Sequence, residues 1–348
     1  MTRSASRSDA SEDIDVRARL LSLINASWTT HALSVATQLR LPELLRDAPQ
    51  TVEVLAQATR CHQPSLLRLL RALISIEVLT EKADGSFALT RAGKLLVDVP
   101  GSLAAWAVFS GTRSWAAWAG LEQSVRDGES IRKRTSGANG FHHLENDREG
   151  ARLFNRAMVD LTQPVARAVV RTVDFSGMRL IVDVGGGYGE LIATILAERP
   201  FLRGILFDLA HATNAASERL AAAGVDRRCA IVTGSFFEAI PGEADAYLLK
   251  SVLHDWDDDA AVQILRNCQR AMQPHAKLLV IERIAPEHFS SSARDQDIAR
   301  SDLIMLIGTG GRERTEREYG AMLEAVGLRI TRSLTLSGPY SVIQAVSQ

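Results

Sequence analysis

Leu180-Ile-Val-Asp-Val-Gly-Gly-Gly-Tyr-Gly-Glu190 is the stretch on which the fold turns. Its first five residues are apolar apart from Asp183, and Gly185, Gly187 and Gly189 end them before the helix-forming run from Leu191 to Ala197. A short apolar run, a glycine-rich turn and a helical stretch read as strand, loop and helix. Glycine lets a ligand approach the backbone, and the first helical turn presents unpaired N–H groups. A dinucleotide site would follow G-x-G-x-x-G, whose third glycine lets helix and strand pack closely beside a pyrophosphate. Here that position is Glu190, an anionic side chain unsuited to pyrophosphate. Taken alone, the turn leaves two readings open: a nucleoside cofactor at Asp183, Gly185 and Gly187, or a structural bend.

Working outward, the alternation continues downstream. Gly204-Ile-Leu-Phe207, Ala230-Ile-Val-Thr233, Ala246-Tyr-Leu-Leu249 and Lys277-Leu-Leu-Val-Ile281 are short, nearly continuous apolar runs, as strands of a parallel sheet covered on both faces require. They predict an α/β, doubly wound, Rossmann-like domain over residues 174–348. Two runs flanking Ser337-Gly-Pro339, over 328–336 and 340–346, predict a closing antiparallel hairpin. Asp208 ends the second strand, where an acidic side chain can accept hydrogen bonds from ribose hydroxyls or can cap a helix. The loop and this aspartate together favour a nucleoside ligand. At the end of the fourth strand stands Lys250-Ser-Val-Leu-His254-Asp-Trp-Asp-Asp-Asp259. Ligands bind at such strand ends, which places His254 at the chemistry. A lone histidine is usually structural, and only its company raises this one. Asp257, Asp258 and Asp259 read as the cap and dipole complement of the next helix.

Upstream, Leu66, Leu67, Leu69, Leu70, Leu73 and Ile74 mark the apolar face of a helix starting at Pro64. Val78-Leu79-Thr80 and Phe87-Ala88-Leu89 around Asp84-Gly85 read as a hairpin, and Thr90 as a helix N-cap. This is a winged-helix order over residues 16–100, which raises DNA binding as a rival. Its would-be recognition helix offers Arg68 and Arg71 and its wing Lys82, against the about 6–10 phosphate contacts typical of duplex binding. Packing or dimerisation is the favoured role. Residues 101–173 read as a helical bridge with a polar loop over 126–139, and Trp106, Trp115, Trp118, Phe141, Phe154 and Met158 concentrate large side chains there. They suit a flat pocket lining or ordinary core packing.

The 348 residues exceed one typical core, and 46% hydrophobic with 23% charged residues is an ordinary globular balance. A net charge of −1, from 40 basic and 41 acidic side chains, offers no field to draw nucleic acid or an anionic membrane. Cys61, Cys229 and Cys268 are odd in number and share no CxxC spacing, so reduced thiols in a cytoplasm are expected. No His/Asp cluster has metal-ligand spacing, and no metal is expected. Residues 1–15 are polar and without a signal-peptide core, and read as a disordered tail. No segment approaches the ~18 apolar residues of a membrane span.

In this company the sequence resembles the caffeic-acid-type, cation-independent family of small-molecule O-methyltransferases, including bacterial members that modify aromatic natural products. The resemblance runs from about Trp28 onward. It rests on Phe154-Asn-Arg-Ala-Met158, the glycine loop, Phe207-Asp-Leu209, Gly234-Ser-Phe-Phe-Glu238, Leu253-His-Asp-Trp256, Glu282-Arg283 and Gly310-Gly-Arg-Glu-Arg-Thr315. It implies S-adenosylmethionine as cofactor, an N-terminal domain that makes a homodimer, and a small aromatic acceptor. By the same resemblance Gly185, Asp208, Leu209, Ser235, Phe236 and Lys250 contact the cofactor and His254 is the base, with Glu282 and Glu313 flanking it. Phe154, Met158, Asp255, Trp256 and Met305 are the implied acceptor contacts. Two departures stand out: Ser235 where many members carry an acid at the adenine, and Ile304 where many carry asparagine before the pocket methionine. Some relatives act as hydroxylases or decarboxylases, which leaves a second reaction on the same fold, and a ligand-responsive DNA-binding regulator is the third reading.

Overall fold

In the computed structural model, which describes residues 5–137, 141 and 147–348, the chain divides into two units, Met1–Trp115 and Ala116–Gln348. The first is helical. Helices Ala5–Asn25, Ser27–Gln38, Val52–Thr59 and Gln63–Ser75 lead into β1 (Leu79–Glu81) and β2 (Phe87–Leu89). Leu66, Leu70 and Leu73 recur at helical spacing and are buried with Leu41, Leu55 and Phe87, while Leu67, Leu69 and Ile74 pack at the margin of that core. β1 and β2 pair antiparallel from Leu79 opposite Leu89 to Glu81 opposite Phe87. Thr90 accepts the Gly93 N–H at 3.1 Å, but what it caps is a single 3-10 turn, Gly93–Leu96.

The expected tail is corrected: the chain is helical from Ala5. No glycine or proline falls between residues 5 and 41, and its Ala, Arg, Glu and Leu residues favour helix whatever their polarity. The expected bridge is also divided, because the boundary between units falls at Trp115. Trp106 stacks on Phe109 at 5.8 Å, and Trp115 meets His31 edge-on at 4.3 Å, both inside the first unit. Part of the polar stretch 126–139 is helix Ile131–Ser136, with Ser130 accepting the Lys133 N–H; residues 138 and 139 lie outside the described residues.

The second unit is built on β3 (Leu180–Val184), β4 (Arg203–Asp208), β5 (Cys229–Thr233), β6 (Ala246–Lys250), β7 (Lys277–Ala285), β8 (Arg314–Thr315), β9 (Leu328–Thr335) and β10 (Tyr340–Ser347). The sheet order is β5-β4-β3-β6-β7-β10-β9, with β8 beside β7. β5 to β7 are parallel, and β10 enters antiparallel between β7 and β9. Alternate strand residues bury on opposite faces, which explains the continuous apolar runs. Leu206, Leu248 and Ile281 pack with Val169, Ile192 and Leu196 from helices Arg148–Thr172 and Glu190–Glu198. Val182, Val184 and Leu249 pack with Ile264, Leu265, Tyr319 and Leu323 from helices Asp258–Ala271 and Glu316–Glu324. The chain leaves β5 and returns on the other side of β3, so a crevice opens where the carboxyl ends of β3 and β6 part. Among the described residues no helix is long and apolar enough to cross a membrane.

Candidate active site

The glycine loop after β3 follows from local sterics. Gly185, Gly187 and Gly189 take φ of 71°, 57° and 80°, a region costly to residues with a Cβ. A Cβ at Gly186 would stand 2.4 Å from Leu206 Cδ1 and 2.6 Å from Asp183 Oδ2, whereas one at Gly187 would meet nothing within 4 Å. The loop is thus packed beneath and open above at Gly187, a cradle that fits a ligand lying on backbone. Asp183 belongs to the packed side, and burial pushes its carboxyl up to about 7. Asp208 closes the cradle. Its carboxylate accepts the Gly187 N–H at 2.8 Å and the Leu209 N–H at 2.7 Å. Burial raises its pKa, with those two N–H groups opposing.

Beyond β5, Ser235 Oγ accepts the Phe237 N–H at 3.2 Å, and Asn267 holds the Phe236 carbonyl at 2.8 Å. Trp256, expected at the acceptor, packs edge-on against Phe237 at 4.7 Å and Phe236 at 6.0 Å. Lys250, at the end of β6, donates to Thr162 Oγ1 at 3.0 Å, and its ammonium lies 5.5 Å over the Tyr340 ring.

The chain turns sharply after β6 because Ser251 adopts a φ of 53°, rare for a residue with a side chain. That bend starts the 3-10 turn Leu253–Asp255. Here the imidazole of His254 is buried with its Nδ1 3.2 Å from Glu313 Oε1 and 3.4 Å from Glu282 Oε2. Glu313 makes the hydrogen bond. Glu282 is anchored instead to the main chain, its Oε1 accepting the Val252 and Leu253 N–H groups at 3.0 Å each. Ser301 donates to Glu313 Oε1 at 2.6 Å, and the Glu313 N–H is held by Asp302 at 2.8 Å. Nε2, on the opposite edge, is 3.9 Å from Asp255 Oδ1 and outside hydrogen-bond reach of it.

Electrostatics follow from packing these acids into a dry space. Burial opposes charge on His254, but Glu282, Glu313 and Asp255 outweigh it and raise its pKa to about 10. Burial pushes Glu282 up to about 7 and Asp255 up to about 6. At Glu313 burial is overcome by His254 and the Ser301 hydroxyl, and its carboxyl falls below the ordinary value. The ligand-type atoms of His254, Glu282 and Glu313 lie within 4.8 Å of one another, a convergence their sequence spacing conceals. Their hydrogen bonds among themselves and to the main chain account for it as an imidazole-orienting set.

Of the remaining acceptor candidates, Phe154 lies 5.6 Å from Phe141, over which Arg132 stacks, and Met158 follows one turn later on the same helix. Met305 accepts a hydrogen bond at sulfur from Thr309 at 3.6 Å. None of these contacts reaches His254. Asp255 is buried and feels the charge of Arg132. Ser301, Thr162 and Tyr340 escaped the sequence reading, since an isolated hydroxyl carries no spacing signal.

Residues 118–329 match the O-methyltransferase domain family, and residues 21–98 match the O-methyltransferase dimerisation domain. The phenazine O-methyltransferase PhzM of Lysobacter antibioticus is 39% identical over 94% of this chain and 95% of its own. The crystal structure of LaPhzM superposes with a TM-score of 0.90 at 39% identity, covering 96% of this chain and 99% of the other. The aclacinomycin 10-hydroxylase RdmB of Streptomyces purpurascens is 35% identical over 97% of this chain and 92% of its own. With both regions matched in order over nearly the whole length of such relatives, the chain belongs to the S-adenosylmethionine-dependent O-methyltransferase family.

Proposed function

We propose that the enzyme methylates a phenolic hydroxyl of a small aromatic natural product, with His254 as general base. S-adenosylmethionine supplies a methyl group on a positively charged sulfur, open to direct displacement by oxygen. His254 Nε2 takes the hydroxyl proton as the O–C bond forms and the S–C bond breaks, leaving methyl ether, S-adenosylhomocysteine and imidazolium. The observation that carries this reading is the direction of the ring: Glu313 engages Nδ1 at 3.2 Å, which leaves Nε2 for the acceptor. Glu313 holds the tautomer and stabilises the imidazolium. A phenol at ~10 is matched to an imidazole raised by its carboxylates, so proton transfer is close to balanced. The larger share of the rate comes from alignment, for which roughly 7–11 kcal/mol is available to well-oriented reactants.

For the cofactor, Gly185 and Gly187 offer backbone, Asp208 accepts from the ribose, Phe236 packs on the adenine, and Leu209, Ser235 and Lys250 complete the contacts. Asp183 supports the loop from beneath. Phe154, Met158, Asp255 and Met305 face the acceptor, and Trp256 braces Phe236. The first unit forms a homodimer through the exposed apolar residues Val16, Leu20, Leu23, Ile24 and Trp28.

Labelled S-adenosylmethionine with a panel of phenols tests the base. His254→Ala is expected to lose about 10²–10⁴-fold in transfer while still binding S-adenosylhomocysteine. Transfer equal to wild type would remove His254 from the role. The likeness to a hydroxylase favours a second reading, oxygen insertion on the same scaffold. Product mass decides between an added methyl and an added oxygen.

A further inference from the structure

Arg314 is the largest fully buried side chain among the described residues, and nothing in the reaction above uses it. It lies on β8, which pairs with the end of β7 through Ile284 opposite Arg314. Its guanidinium donates to the Leu253 carbonyl at 2.9 Å and to the Trp256 carbonyl at 2.7 Å. These two carbonyls bracket the turn Leu253–Asp255, with His254 between them. Nε donates to Asp258 Oδ1 at 2.9 Å, so the buried cation is neutralised by an acid whose own side chain is 55% exposed. The adjacent residue, Glu313, holds the His254 ring itself. Consecutive residues thus grip His254 in two ways, by side chain and by main chain.

A guanidinium suits this task because its planar fork donates in several fixed directions at once, which an ammonium cannot reproduce. Buried carbonyls left without a donor cost free energy, so the turn is tied to the fork.

We propose that Arg314 is a positioning residue for methyl transfer: by bridging the Leu253 and Trp256 carbonyls it sets the height and tilt of the His254 imidazole against the acceptor hydroxyl. The inference rests on His254 being the base, and its test reads the imidazole directly so that the two can fail separately.

Arg314→Lys keeps the charge and loses the fork. Asp258→Asn, made at an exposed position, loosens the fork without cutting into the core. In 15N-histidine-labelled enzyme, with the His254 signals identified by their absence from His254→Asn, both variants are expected to shift the His254 ring resonances and lower its titration midpoint, because Nδ1 loses its alignment on Glu313. Labelled transfer to phenols is expected to fall about 100-fold in Arg314→Lys, the scale of a 1 Å misplacement, and about tenfold in Asp258→Asn, with S-adenosylhomocysteine affinity by calorimetry within twofold of wild type. His254 signals, titration and turnover unchanged in both folded variants would overturn the proposal. So would a loss of turnover accompanied by an unmoved His254 titration, which would make Arg314 a structural residue only. A wild-type-like rate in His254→Ala would instead sink the base and leave the Arg314 effect on the ring intact.

Discussion

At neutral pH the imidazole of His254 carries its proton, because the charges of Glu282, Glu313 and Asp255 outweigh burial and raise it to about 10. The free enzyme must lose that proton before it can accept one. With an acceptor that stays un-ionised, kcat/KM is therefore expected to climb with pH through the neutral and alkaline range, levelling near the His254 value. Glu313→Gln removes a carboxylate that favours the imidazolium. The rising limb is expected to move to lower pH, while the plateau rate falls because the imidazolium formed in transfer is less stabilised. Rate profiles of wild type and variant, taken side by side, check this; an unmoved limb would detach Glu313 from the base. The flanking acids were readable only through family resemblance, as each had an equally good local explanation. Which glutamate meets Nδ1 was not readable, since it depends on Ser301 and on the main-chain anchoring of Glu282.

At the scale of elements, long periodic segments were legible and short ones were not. The parallel strands and the final hairpin follow from apolar runs and turn residues, and their observed ends differ by only a few residues. β8 is two residues long, too short for any period, yet it carries Arg314 into the site. Its approach depends on Gly311, where a Cβ would lie 2.0 Å from the His254 carbonyl oxygen and 2.4 Å from the Asp255 carbonyl carbon. Gly311→Ala is expected to push the turn aside, costing about 1–3 kcal/mol of stability and most of the transfer activity. Gly320→Ala is the control. Its Cβ would meet Ile330 at an ordinary 3.6 Å within a helix, so thermal melting should be unchanged or slightly raised. Similar melting for the two variants would contradict the close approach. The N-terminal helix was misread because polarity was taken for disorder, when only glycine or proline would have broken it.

For the molecule as a whole, the division into a helical unit and a sheet-based unit was visible in the change from helical to strand spacing near residue 180, though not the boundary at Trp115. No helical stripe in the sequence said which apolar residues would stay uncovered. Leu20 and Ile24, one turn apart on the first helix, are 57% and 65% exposed, more than a folded monomer normally leaves in one stripe. A Leu20→Asp/Ile24→Asp double variant is expected to elute as a monomer in size exclusion with light scattering, where the wild type elutes as a dimer. A variant that remained dimeric would move the interface elsewhere.

The ring of His254 is supported entirely from residues 251–315, on turns and strands behind the crevice, while Phe154 and Met158 belong to the helix Arg148–Thr172. Proton handling and acceptor recognition are therefore separable under mutation. A lineage can exchange the helix side chains, one at a time, to admit a new aromatic skeleton without disturbing the base. Redesign of acceptor preference should begin on that helix and leave the segment around Gly311 and Arg314 untouched.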